Sequence, residues 1–118
     1  EYSVGTMEFT GLVTGGSRKA AQLGYPTANI LLADTEVSGI YVARVVSEGQ
    51  EYSAVAYADQ TRHILEAHLF RFSGDLYGKE ITVTLLMKLR DSERFDTEDA
   101  LKEAVENDIA AARAYFKL

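Results

Sequence analysis

Residues 16 to 30 read Gly16-Ser17-Arg18-Lys19-Ala20-Ala21-Gln22-Leu23-Gly24-Tyr25-Pro26-Thr27-Ala28-Asn29-Ile30, and the reading of this stretch decides the fold. It opens on small and basic residues without helical periodicity and closes on a Gly-Tyr-Pro turn. Pro26 is the single proline in 118 residues, so its fixed φ and missing N–H donor must be tolerated at this one place. An extended chain just after it would turn Thr27 and Asn29 to the same face, because alternate strand residues share a side. A hydroxyl and an amide oxygen then converge on one hard cation or a phosphate. The competing reading is a surface turn leading into a strand, since Gly and Pro mark turns in every fold class.

Upstream, Met7 to Thr14 alternate as a first strand with Met7, Phe9 and Val13 on one face, and Gly15-Gly16 break it. Ser17 to Gln22 form a loop whose Arg18 and Lys19 either meet phosphates or sit in a solvated turn. Downstream, a short strand is predicted over Thr27 to Leu32, then an acidic loop from Ala33 to Ser38. Gly39 to Val46 is rich in β-branched and aromatic residues and Glu51 to Tyr57 alternates, so the two read as a β-hairpin across Ser47-Glu48-Gly49-Gln50. After a polar link, Ala58 to His63, a strand from Ile64 to Phe72 puts Ile64, Glu66, His68, Phe70 and Phe72 on one face. Glu66 therefore sits among apolar neighbours. An unpartnered carboxylate is costly to bury there, which makes Glu66 a candidate general base, or else that end of the strand is simply wet. A metal site from His63, Glu66 and His68 is a further, less specific possibility, because Glu-x-His arises readily by chance.

Ser73 to Lys79 is predicted to be a turn, and Glu80 to Leu89 a long strand with Ile81, Val83, Leu85, Met87 and Leu89 on one face, pairing with the strand before it as a hairpin. Arg90 to Asp96 leads into the one clear helix, Thr97 to Phe116. Asp96 or Thr97 can cap it, and Glu98 and Asp99 suit the positive end of its dipole. Leu101, Ala104, Val105, Ile109, Ala112 and Phe116 recur at helical spacing as an apolar stripe to lay against a sheet. Several strands followed by one terminal helix point to a mainly β fold, an antiparallel barrel or curled sheet with a helix outside.

Composition bounds the function. The 118 residues make one domain, residues 1–118, with residues 1–6 ahead of Met7 read as linker or extraneous sequence. Folding a chain this long removes about two-thirds of its surface from water, enough for a core without disulfides. With 47% hydrophobic and 25% charged residues it is ordinary globular material. The absence of cysteine excludes disulfides and thiolate chemistry and fits a reducing cytoplasm, the expected location. A net charge of -6 argues against nucleic acid as a partner, which clustered Lys and Arg would hold. No apolar run approaches a membrane span, and no signal-peptide pattern is found.

The heptapeptide Leu23-Gly24-Tyr25-Pro26-Thr27-Ala28-Asn29 resembles the signature of the riboflavin kinases (flavokinases). Gly39-Ile40-Tyr41-Val42, Glu66-Ala67-His68 and Asp75-Leu76-Tyr77-Gly78-Lys79 extend the resemblance, and Arg90, Glu93, Phe95 and Asp96 match a pre-helix pattern loosely. The resemblance implies a six-stranded antiparallel Greek-key barrel with one C-terminal helix outside, and transfer of the ATP γ-phosphoryl group to the riboflavin 5′-hydroxyl to give FMN. It implies Glu66 as catalytic base and Thr27 and Asn29 as ligands of Mg²⁺ or another divalent ion. Gly16, Arg18, Lys19, Gly24, Tyr25, Pro26, Thr27 and Asn29 are implied at the nucleotide, and Arg90, Phe95 and Asp96 beside the flavin. ATP and riboflavin are the implied partners, joined by an adenylyltransferase domain if the native chain is longer. The chain departs from the pattern in three places. Ala20 and Ala21 replace a Gly-Arg pair, Tyr57 to Arg62 replace a longer segment, and Asp34 to Ser38 replace a Pro-rich approach to Gly39, a structurally minor change. The alternative these departures raise is a flavin- or nucleotide-binding module of the same fold that no longer catalyses.

Overall fold

The chain forms six strands, β1 (Met7–Leu12), β2 (Ala28–Leu31), β3 (Gly39–Ser47), β4 (Gln50–Asp59), β5 (Ile64–Leu69) and β6 (Glu80–Arg90), followed by helix α1 (Glu98–Phe116). The computed structural model describes residues 7–14, 27–72 and 74–118. β3 and β4 form the expected hairpin, and its turn residues Glu48 (φ 52°) and Gly49 (φ 79°) are both left-handed. That backbone matches the right-handed twist of the strands it joins.

The strands form one antiparallel sheet in the order β1-β6-β3-β4-β5-β2. β3, β4 and β5 run as a meander and β6 returns to lie beside β3, which is a Greek key. The outer strands then approach each other. The Thr14 N–H donates to the Asn29 carbonyl at 2.9 Å. A Cβ on Gly11 would stand 3.4 Å from the Ile30 side chain, an ordinary contact, so β1 and β2 lie within side-chain reach of each other. The result is a nearly closed barrel. The expected hairpin between β5 and β6 does not form: β5 bonds to β4 and β2, and β6 bonds to β3 and β1. Both sides of β5 and of β6 are already taken by these other strands, and a connection with positive-φ Arg71 (φ 59°), Gly74 and Gly78 carries the chain across.

Inside, Ile30, Leu32, Val45, Leu65, Ile81 and Val83 are fully buried, with alanines at 43, 54, 56 and 67 filling the narrow parts. Outside, Ile40, Val42, Val55 and Phe70 make a second apolar cluster that α1 covers with Ala112, Ile109 and Phe116. Of the two capping candidates Thr97 serves, its Oγ1 accepting the Ala100 N–H at 3.0 Å. β6 departs from simple alternation. Its pairing with β3 skips Leu86 and Leu89, so these two bulged residues turn out against the helix-side cluster while Met87 is 44% exposed. The bulges also explain Gly39, whose φ of 106° suits glycine and where a Cβ would lie 2.7 Å from the Arg90 carbonyl oxygen. No helix among the described residues is long and apolar enough to cross a membrane.

Candidate active site on the outer wall of the barrel

β2 and β5 pair so that Asn29 stands opposite Glu66, and Glu66 stands opposite Tyr57 of β4. Ala28, Ile30, Leu65 and Ala67 point into the barrel. Asn29, Glu66 and Tyr57 alternate with them and therefore project from its outer wall, the side that α1 covers further along. Asn29 and Glu66 are nonetheless only 6% and 8% exposed.

Thr27, half-buried just ahead of β2, donates its hydroxyl to Glu66 Oε2 at 3.0 Å. Residues 39 apart in sequence thus meet, and strand register alone brings them together. Asn29 Oδ1 is buried and accepts no hydrogen bond among the described residues. Leaving a buried acceptor unsatisfied costs about 1–3 kcal/mol. Two uncharged hard oxygens on one face, one of them orphaned, fit a divalent ion that keeps several waters and takes its remaining ligands from substrate phosphates. No group of three His, Asp or Glu among the described residues could hold a metal alone. His63 sits in the β4–β5 turn with φ 56°, and the His63, Glu66 and His68 site is not formed.

Arg62, in that same turn, reaches toward the site. Its Nε donates to Asp59 Oδ2 at 2.7 Å and its Nη2 stands 4.0 Å from Glu66 Oε1. Burial raises the Asp59 carboxyl, but the hydrogen bond and charge of Arg62, with the N–H groups of Arg62 and Thr61, outweigh it and hold the pKa below the ordinary value. The Asp59 hydrogen bond likewise holds the Arg62 guanidinium above its ordinary value. Gln60 donates to the carbonyls of Asp34 and Val37 at 2.8 and 2.6 Å and so ties the turn to the acidic loop. The segment that departs from the riboflavin kinase pattern is therefore the end of β4 followed by a short, internally bonded turn from Gln60.

The pre-helix residues are placed differently. Arg90 spends its fork on Asp108 of α1, Nε to Oδ1 and Nη2 to Oδ2 both at 2.8 Å, and fastens the helix to β6. Its guanidinium also lies 5.7 Å from the centre of the Phe95 ring. Phe95 is half-buried and Asp96 exposed. Gly16, Arg18, Lys19, Gly24, Tyr25 and Pro26 lie outside the described residues. Sequence reading missed Arg62, which looks like one charge in a solvated link, and Asp108. The signal for Asp108 was present: it lies between Val105 and Ala112 on the apolar stripe, where a carboxylate needs a cation.

The riboflavin kinase family model matches residues 5–116. The bifunctional riboflavin kinase/FMN adenylyltransferase of Pseudomonas fluorescens is 42% identical over 113 residues, covering 88% of this chain and 36% of the relative. The chain thus spans a little over a third of that relative's length. A solved chain described as a macrolide-efflux protein from Streptococcus pneumoniae superposes with a TM-score of 0.77 at 30% identity, over 90% of this chain and 38% of the other. Riboflavin kinase from Trypanosoma brucei superposes with a TM-score of 0.67 at 23% identity, over 98% of this chain and 83% of the other, and shares the fold. With barrel, register and family model in agreement from β1 to α1, the chain belongs to the riboflavin kinase family.

Proposed function

We propose that this domain is an ATP:riboflavin 5′-phosphotransferase that makes FMN. The observation that carries the reading is the Thr27–Glu66 contact beside the orphaned, buried oxygen of Asn29, in a member of the riboflavin kinase family. Phosphoryl transfer asks little covalent chemistry of a protein and much alignment and charge compensation. Glu66 accepts the ribityl 5′-hydroxyl proton as that oxygen bonds to the γ-phosphorus and the bond to the β,γ-bridging oxygen breaks, releasing ADP. General-base help of this kind is worth about 10² to 10⁴ in rate. Thr27 and Asn29 would hold Mg²⁺, which when bound offsets phosphate charge. Near-complete burial keeps bulk water from competing with the riboflavin hydroxyl at Glu66.

In this reading the 16–26 segment, with Gly16, Arg18, Lys19, Gly24, Tyr25 and Pro26, holds the nucleotide. Phe95 and Asp96 border the flavin, and Arg90 fixes their position through Asp108. The relatives' names join the activity to FMN adenylyltransferase, and such a domain is the proposed partner, with the cytoplasm as the proposed location. Incubation with riboflavin and ATP, followed by chromatography, tests the reading. FMN is expected with Mg²⁺ present, and its loss with a chelator and in Thr27→Ala or Asn29→Ala. Quenched riboflavin fluorescence without FMN would select the non-catalytic binding module instead.

A further inference from the structure

The geometry points to Arg62 as a second participant at the reacting centre, a guanidinium fork that binds the transferring phosphoryl group across from Glu66. This rests on the phosphotransferase reading above. Arg62 is the cation that stands within ion-pair distance of Glu66 among the described residues. Its 4.0 Å separation from Oε1 is too long for a hydrogen bond, so Nη2 has not spent its donors on the carboxylate. Asp59 holds the other side of the group through Nε at 2.7 Å and is itself fixed by accepting the N–H groups of Thr61 and Arg62 at 2.9 and 3.1 Å. The head is anchored through Nε while Nη2 faces the base.

Stability does not explain the arrangement. The Arg62 side chain is 51% exposed, and ion pairs this open contribute little to folding. An anchored arginine with terminal N–H groups to spare matches the planar oxygen geometry of a phosphoryl group in transfer. The step balances without it: the hydroxyl proton goes to Glu66, the new O–P bond forms as the old one breaks, and ADP departs. Arg62 donates to the γ-phosphoryl oxygens, where charge is redistributed. Asp59 is the positioning residue, acting through Arg62.

Steady-state kinetics of Arg62→Ala, Arg62→Lys and Asp59→Asn, with melting curves, test this. Arg62→Ala is expected to lower kcat about a hundredfold, the scale seen when one donor to a transition-state oxyanion is removed. KM for riboflavin and the melting temperature are expected to stay put. A non-hydrolysable ATP analogue should bind more weakly to Arg62→Ala while ADP binds as before, a split that a merely structural role would not produce. Arg62→Lys keeps the charge and loses the fork, so a smaller drop of about tenfold is expected, and Asp59→Asn should fall between. Should Arg62→Ala fail to fold, Arg62→Lys decides: wild-type kcat there overturns the proposal. Wild-type turnover with Arg62→Ala within about twofold of it overturns this proposal alone, since single donors of this kind are worth far more. A wild-type chain that makes no FMN overturns this proposal and the phosphotransferase reading together.

Discussion

Two arginines of this barrel, one on β6 and one in the β4–β5 turn, meet carboxylates in opposite ways. Arg90 and Asp108 form a closed pair, with two parallel hydrogen bonds at 2.8 Å and an Asp108 only 4% exposed. Arg62 and Glu66 form an open pair, 4.0 Å apart, with a half-exposed cation and an orphaned amide oxygen across the strand register. A buried ion pair that satisfies itself holds elements together and has nothing left for a ligand. One that leaves donors and acceptors unspent at a buried carboxylate is poorly explained by folding and well suited to chemistry. The contrast reverses the weight that sequence alone would give the two arginines, since Arg90 lies in a flavin-associated pattern and Arg62 in a polar link.

The largest effect should come from breaking the closed pair. Asp108→Ala leaves the Arg90 charge without its partner, and about 3–5 kcal/mol of stability is expected to be lost in denaturant titration. Replacing both residues by apolar ones of similar size should recover most of that loss. Asn29→Ala should have the opposite profile. Removing the orphaned acceptor is expected to cost no stability, or to raise it by up to about 1–3 kcal/mol, while FMN formation falls. That pairing of outcomes would mark the β2–β5 site as one that keeps function at some expense to folding.

The fold was legible where physics is local. Alternation, β-branched content and the Pro26 turn marked six strands, Glu48-Gly49 marked the turn of the β3–β4 hairpin, and Asp96-Thr97 marked the start of the helix. What alternation could not show was partnership between strands. The hairpin expected between β5 and β6 is absent because β5 lies between β4 and β2 while β6 lies between β3 and β1. The bulges at Leu86 and Leu89 come from the pairing with β3 and have no mark in the β6 sequence. At the site, Thr27, Asn29 and Glu66 were readable through the heptapeptide and Glu-x-His. Their contact across 39 residues follows from register, which no short segment encodes.

A smaller effect sharpens the open side of the comparison. The Asp59 carboxyl has a folded pKa below its ordinary 3.8, so its contribution is complete above that value and is lost as the pH falls through the lower folded one. Wild type is expected to exceed Asp59→Asn in stability near neutral pH by no more than about 1 kcal/mol, because the pair is partly exposed. The gap should close in acid. A gap that widened in acid would mean that Asp59 is held by something other than Arg62 and the neighbouring N–H groups.

The central claim is that Glu66, oriented by Thr27 beside Asn29, takes the proton in phosphoryl transfer. Its most direct test is single-turnover conversion of riboflavin to FMN by Glu66→Gln, with riboflavin and ATP affinities measured in the same variant. The account predicts a rate about 10² to 10⁴ lower with affinities near wild type. Wild-type turnover by Glu66→Gln would contradict it.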